Sequence, residues 1–220
     1  MAEGELRVQA FETYRGIIAA LNRANVDTDQ IIPKQFLKSI RRTGFGKNLF
    51  YDWSRRPDGN PDPAFELNQP RFKGAGILVV RNNFGCGSSR EHAVWAVKQA
   101  GFRVVIAPWR ETPEGRIPGF ADIFANNAVK NGLLTIQLSP PEVDSIFDAV
   151  NGNPGLEATI DLTGQSVVLH LEAEKAFNFE IDSAVKQYLL RGLDEIGLTL
   201  EREARIAAFE KEHDSLIRPA

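Results

Sequence analysis

The chain has 220 residues, of which 43% are hydrophobic and 25% charged, the balance of an ordinary globular protein and not of a disordered one. Lys and Arg number 26 against 29 Asp and Glu, a net charge of −3, so no basic excess points to nucleic acid or an anionic membrane. The apolar runs, such as Ile77–Val80 and Val104–Ala107, fall far short of the roughly 20 residues that span a bilayer. The acidic start, Met-Ala-Glu-Gly-Glu, lacks a signal-peptide pattern, and a soluble cytoplasmic protein is expected. With Cys86 as the one cysteine, neither a disulfide framework nor a cysteine-rich metal or iron–sulfur site can be built by this chain alone. The three histidines, His92, His170 and His213, are too scattered to suggest zinc.

In chain order, Ile17–Leu21 reads as a short buried strand and Asn25–Asp29 as a polar turn. Pro33, favoured at a first helical position, opens an expected helix over Lys34–Ile40. Thr43–Phe72 is rich in Gly, Pro, Asn and Asp, with aromatics at Phe45, Phe50, Tyr51, Trp53 and Phe65, a long irregular stretch of the functional or mobile kind. Gly76–Arg81 is a buried strand, Phe84–Ser89 a glycine-rich turn, Arg90–Ala100 a helix stopped by Gly101, and Arg103–Ala107 the next strand. Strand, turn, helix, strand is a βαβ unit, for which a parallel pair with a right-handed crossover is expected.

After a polar excursion at Trp109–Gly119 come a helix to Asn131 closed by Gly132, a strand at Leu133–Leu138 and a helix over Pro140–Val150 following Ser139. Three β segments, Leu156–Leu162, Ser166–Leu171 and Ala176–Ile181, precede a helix capped by Asp182 and ending near Gly192. A surface helix is expected at Glu201–His213. The expected architecture is α/β: one domain over residues 1–220, with a parallel βαβ core and a C-terminal β/α extension from about residue 150.

The chemistry concentrates in Asn83-Phe-Gly-Cys-Gly-Ser-Ser-Arg-Glu-His-Ala93. Its glycines allow a tight turn and close approach of a ligand. The following helix start offers free N–H groups and a positive dipole end. Ser88, Ser89 and Arg90 add two hydroxyls and a cation, so an anionic guest is indicated. Ser88 through Glu91 also fits a capping box, and the pattern leaves a capping serine and an active-site serine at even odds. Arg90 is harder to explain structurally, since a cation is unfavourable at a helix N-terminus. The stretch is neither a P-loop nor a Gly-x-Ser-x-Gly elbow. Asp27 and Asp29 fit an Asx turn first and a carboxylate orienting a catalytic group second. Arg41-Arg42-Thr43-Gly-Phe-Gly46 fits a solvated loop or a bidentate carboxylate clamp. His92 reads as structural, and Asn127 and Asn131 as turn or capping partners.

Asn25–Leu37, Arg42–Gly46, Asn83–Ala93, Phe120–Phe124 and Gly192–Leu200, in this order, strongly resemble the family of bacterial 3-isopropylmalate dehydratase small subunits. This is a branch of the aconitase superfamily, whose swivelling β/β/α domain carries the same Gly-Ser-Ser-Arg-Glu-His element. The resemblance implies a hydro-lyase subunit inactive alone, with no cofactor on this chain and a 4Fe–4S cluster on a separate large subunit. It implies interconversion of 2- and 3-isopropylmalate through 2-isopropylmaleate, in leucine biosynthesis. It makes Ser88 the group that takes a proton from carbon, Ser89 and Arg90 contacts of a substrate carboxylate, Arg42 a second clamp and Asp29 an active-site aspartate. Lys34–Phe45 becomes the specificity loop. One departure is the segment Trp109–Gly119, an insertion relative to relatives; it reads as a tolerated surface loop or as a way for Arg110 or Arg116 to reach the site or the partner. Two other readings stay open: a related diacid hydro-lyase acting on a citraconate, dimethylmaleate or homoaconitate type of substrate, and a silent anion-binding module.

Overall fold

The computed structural model describes residues 9–38, 42–88, 90–192 and 203–213. Its frame is set by one strand with two kinds of neighbour. The second half of β1 (Thr13–Leu21) pairs in parallel with β2 (Ile77–Val80), from Ile18 opposite Ile77 to Leu21 opposite Val80. Its first half pairs antiparallel with β7 (Glu157–Asp161), from Thr13 opposite Asp161 to Ile17 opposite Glu157. This double role makes β1 longer than the expected Ile17–Leu21, because its more polar N-terminal half is stabilised by ladder bonds and not by burial.

The parallel side continues through β3 (Val104–Pro108) to β6 (Leu134–Leu138). Every residue of β2 and β3 is buried, as continuous apolar runs require when both faces of a parallel sheet are covered. The cover comes from α3 (Glu91–Gln99), α4 (Asp122–Lys130) and α5 (Pro140–Gly152). The antiparallel side adds β8 (Ser166–Leu169) and β9 (Lys175–Asn178), giving the order β6-β3-β2-β1-β7-β8-β9. In β7 burial alternates along the strand, so it buries one face only. The sheet curls: Phe179–Asp182, just past β9, borders the same cleft as Gln137 and Leu138 of β6.

The helix ends follow their sequence signals. Glu142 accepts from the Ser139 backbone N–H at 2.8 Å to start α5. Asp182 accepts from the N–H groups of Ala184 and Val185 at 2.9 and 3.0 Å to start α6 (Ser183–Arg191), and Gly192 ends it in the left-handed conformation. The last described helix, α7, spans Glu203–Glu212; residues 201 and 202 of the expected Glu201–His213 helix lie outside the described residues.

The strand expected over Ala176–Ile181 is β9 and stops at Asn178, and three further segments differ in kind from expectation. A short helix, α1 (Thr28–Ile31), forms where only a turn was expected, because Asp27 and Gln30 make a capping box. After Pro33 the chain makes a 3-10 helix over Lys34–Lys38; residues 39 and 40 lie outside the described ones. The Trp109–Gly119 excursion is a hairpin of β4 (Arg110–Thr112) and β5 (Gly115–Ile117).

The Thr43–Phe72 stretch is held down by its aromatics. Phe50 and Phe65 are buried, Trp53 stacks on Phe50 at 5.7 Å, and Arg23 lies 4.3 Å over Trp53 while gripping Glu66 with two 3.0 Å hydrogen bonds. A single short helix, α2 (Tyr51–Ser54), and several 3-10 turns suffice to thread it. No helix among the described residues is long and apolar enough to cross a membrane.

Candidate active site

Parallel strands end on one side, and the loops leaving their carboxyl ends meet there, the usual place for a ligand crevice in an open α/β sheet. Here the loops after β1, β2 and β3 are stitched together by main-chain bonds. The N–H of Gly85 donates to Val26 at 2.8 Å and that of Thr28 to Cys86 at 2.9 Å. On the other flank, Phe84 donates to Gly119 at 2.9 Å and Ala121 to Phe84 at 3.0 Å. The glycine turn is thus clamped between two neighbouring segments.

Glycine is required in that turn. Gly85 and Gly87 sit at φ 76° and 87°, and a Cβ on Gly85 would lie 2.3 Å from the ring of Phe124. The turn ends at Ser88, whose carbonyl accepts from the buried Thr28 hydroxyl at 2.9 Å, while the residue itself is exposed. Ser88 opens onto a cleft of about 250 Å³ that Thr28, Gly87, Arg90, Ala121 and the first residues of α4, Asp122 to Phe124, also line.

The capping alternative for Ser88 does not hold. Helix α3 begins at Glu91 with Arg90 in the cap position, and among the described residues no side-chain cap bond is made there. Glu91 instead accepts from the Asn131 side chain at 2.9 Å, so it does not reach back to Ser88. Helix α4 likewise starts without a side-chain cap, at Ala121. Two helix starts without a side-chain cap among the described residues therefore border the cleft, where first-turn N–H groups have no partner within the helix.

Arg90 is mostly buried and pairs through Nη1 with Oδ1 of Asp29, while Lys34 Nζ stands 3.5 Å from Oδ2 of the same carboxylate. The Arg90 hydrogen bond, outweighing the effect of burial, holds the Asp29 carboxyl below its usual range. Asp29 offsets the unfavourable meeting of Arg90 with the helix dipole. Two cations against one carboxylate leave this trio net positive, while at the cleft itself Arg90 shares the lining with the Asp122 carboxylate.

Asp27, by contrast, is a structural cap: its Oδ1 accepts from the Gln30 N–H at 2.7 Å. Arg42 lies outside the cleft lining, its guanidinium 5.8 Å over the Trp95 ring. Trp95 is five residues past Arg90, about 7.5 Å along the helix axis, a gap that an arginine side chain can largely cover. Ser89 and Arg41 lie outside the described residues, as does the Gly192–Leu200 motif beyond Gly192. The structure therefore gathers Ser88, Arg90 and Asp29, and sets Arg42 further along α3.

The three histidines are engaged elsewhere. His92 packs on Phe45 and Trp95 with ring centroids 5.1 and 4.7 Å away, and burial lowers its pKa. His170 bonds the Thr159 hydroxyl at 2.8 Å, and His213 stacks on Phe209. Burial, with the charge of Asp27, pushes the Cys86 thiol up, the opposite of an activated nucleophile or metal ligand. Asn131 is the capping residue of α4, donating to Asn127 O at 2.9 Å and accepting from Trp95 Nε1 at 2.9 Å.

Arg116 of the hairpin stacks 4.2 Å over Trp109 and borders a separate cleft of about 620 Å³, which holds none of the candidate residues. Sequence reasoning missed Thr28 and Lys34. Both lie in the Asn25–Leu37 motif, but a hydroxyl that pins a distant carbonyl leaves no local pattern.

Residues 8–141 match the aconitase C-terminal domain family, and residues 195–215 match the family of C-terminal domains of the 3-isopropylmalate dehydratase small subunit. A 3-isopropylmalate dehydratase small subunit of Desulforapulum autotrophicum is 59% identical over 203 residues, covering 92% of this chain and 95% of that one. A solved structure of 3-isopropylmalate dehydratase from Methanocaldococcus jannaschii superposes with a TM-score of 0.60 at 26% identity, covering 89% of this chain and 98% of that one. The chain belongs to the aconitase C-terminal domain family and, within it, to the 3-isopropylmalate dehydratase small subunits.

Proposed function

We propose that this chain serves as the small subunit of 3-isopropylmalate dehydratase, a hydro-lyase of leucine biosynthesis, and that Ser88 is its proton-transfer group. The observation that carries the site is an exposed serine at the end of a clamped glycine turn, beside the Arg90–Asp29 pair and the starts of helices α3 and α4. A serine hydroxyl is a poor base in water. Orphan N–H donors and a fixed cation favour its anion, which makes proton removal from carbon feasible near neutral pH. Ser88 Oγ, as its anion, takes the proton from one backbone carbon of isopropylmalate as hydroxide leaves the neighbouring carbon, giving 2-isopropylmaleate, a protonated Ser88 and hydroxide. Returning that proton from Ser88 to the other carbon, as hydroxide adds where the first proton had been, yields the isomer and regenerates the Ser88 anion.

Arg90 and Ser89 hold one substrate carboxylate in this reading, and Arg42 swings from its place over Trp95 to hold the second. Asp29 does not touch the reacting carbons; it aims Arg90 and keeps its charge from being spent on solvent. The family resemblance implies a 4Fe–4S cluster held by a separate large subunit, and the single cysteine of this chain agrees with that. We therefore place the cluster on a large partner subunit, and this chain in the cytoplasm beside it. The test is reconstitution with the genomic large-subunit partner, its cluster rebuilt anaerobically, following hydration of 2-isopropylmaleate. Activity requiring both chains is expected. A competent complex that instead prefers citraconate, dimethylmaleate or a homoaconitate-type diacid would move the substrate assignment, and chains that never associate would overturn the reading.

A further inference from the structure

We propose that Gln99, the last residue of α3, is a positioning residue that sets the reach of Arg42; the inference rests on the reading of Arg42 as a carboxylate clamp. Helix α3 presents His92, Trp95 and Gln99 at i, i+3 and i+7, one stripe along its surface. That stripe receives the Arg42–Phe45 segment. The buried Phe45 ring lies 5.1 Å from His92 and 5.6 Å from Trp95, and the Arg42 guanidinium lies over Trp95.

Gln99 closes the arrangement. Its Nε2 donates to the carbonyl of Arg42 at 2.7 Å, and its Oε1 accepts from the N–H of Phe45 at 2.9 Å. A carbonyl and an N–H three residues apart are the pair that an ordinary β-turn bonds directly. Here the planar amide of Gln99 stands between them and satisfies both, so the turn is closed by a side chain from another element. The next residue reinforces the docking: a Cβ on Gly46 would lie 2.3 Å from the Gln99 carbonyl carbon, so only glycine lets the two backbones approach this closely. The direction in which the Arg42 backbone launches its side chain thus depends on one amide that touches neither substrate nor Ser88.

The test uses the complex reconstituted with the large subunit. Gln99→Met keeps the length but neither polar group, and Gln99→Glu keeps the acceptor for Phe45 while losing the donor to Arg42. Both variants are expected to raise KM for 2-isopropylmaleate by about tenfold, the scale of one or two lost hydrogen bonds, with kcat held within about threefold. Arg42→Ala raises KM at least as much, and the Arg42→Ala/Gln99→Met double variant is no worse than Arg42→Ala alone. An unchanged KM in the Gln99 variants, multiplying effects in the double variant, or no KM effect of Arg42→Ala would each overturn the inference. Should Gln99→Met fail to fold, Gln99→Glu carries the same expectation and the same refutation. Full turnover in Ser88→Ala would instead bring down the reading of the site; a dead Ser88→Ala with multiplying Gln99 and Arg42 effects would remove this inference alone.

Discussion

Replacing Gly85 by alanine puts a methyl group where the structure has none to spare. The new Cβ would sit 2.3 Å from Cγ of Phe124 and 2.5 Å from its Cβ, and Phe124 is itself only 2% exposed, so the ring has nowhere to retreat. The backbone at φ 76° adds a left-handed penalty of about 1–2 kcal/mol for a residue with a Cβ. Overpacking against a buried ring adds about 1–3 kcal/mol, for a sum of about 2–5 kcal/mol. Against a typical total of about 5–15 kcal/mol that is a large loss. With m near 2–3 kcal/mol/M, the urea midpoint of the purified chain should fall by about 1–2 M. Adding Phe124→Ala, which removes Cγ and Cδ2 but keeps Cβ, should recover part of the overlap but none of the φ penalty, so the pair should be less than additive. Because the turn delivers Ser88, turnover of the reconstituted enzyme should fall further than stability alone explains. A midpoint shift equivalent to less than about 0.5 kcal/mol would refute the clamped-turn argument.

Asp29→Asn removes the partner of Arg90; turnover should drop, while stability at pH 7 changes by less than about 1 kcal/mol because the carboxylate is substantially exposed. The Asp29 pKa is depressed in the folded state, so its stabilising contribution is present above the unfolded value near 3.8 and is lost as pH falls through the folded value; the wild-type and Asp29→Asn acid-unfolding curves should converge below that point. His92, whose pKa burial lowers, should titrate below 6.5 by NMR, and its contribution to stability should fade as pH drops below that unfolded value; titration at or above 6.5 would contradict its packing between Phe45 and Trp95. Deleting Arg110–Pro118 while keeping Trp109 and Gly119 should leave both fold and turnover intact, because Arg116 is stacked on Trp109 away from the Ser88 cleft; a lost assembly with the large subunit would instead give the hairpin a docking role.

Much of the parallel core was legible because β2 and β3 are uninterrupted apolar runs punctuated by glycine, and the caps at Ser139, Asp182 and Gly192 are local signals. The split role of β1 was not, since pairing its polar half with β7 depends on residues about 140 positions away. The hairpin in Trp109–Gly119 was missed because its strands have three residues each and expose most of their surface, leaving no apolar alternation to read. At the site, the pattern Ser88-x-x-Glu91 suited a cap as well as a reactive serine. Only the fold decides that, by starting α3 at Glu91 and turning the Glu91 carboxylate toward Asn131. The Arg90–Asp29 pair spans 61 positions, so the sequence offered both residues and no sign that they meet.

The most direct test of the account is Ser88→Ala in the reconstituted, cluster-bearing complex. Ser88 is exposed and caps no helix, so the substitution should leave folding and assembly unchanged, as judged by unfolding midpoint and co-elution with the large subunit. Turnover of 2-isopropylmaleate should fall by at least about 10²–10⁴-fold, the range supplied by a positioned acid–base group. An intact complex that retains wild-type turnover would contradict the assignment of proton transfer to Ser88.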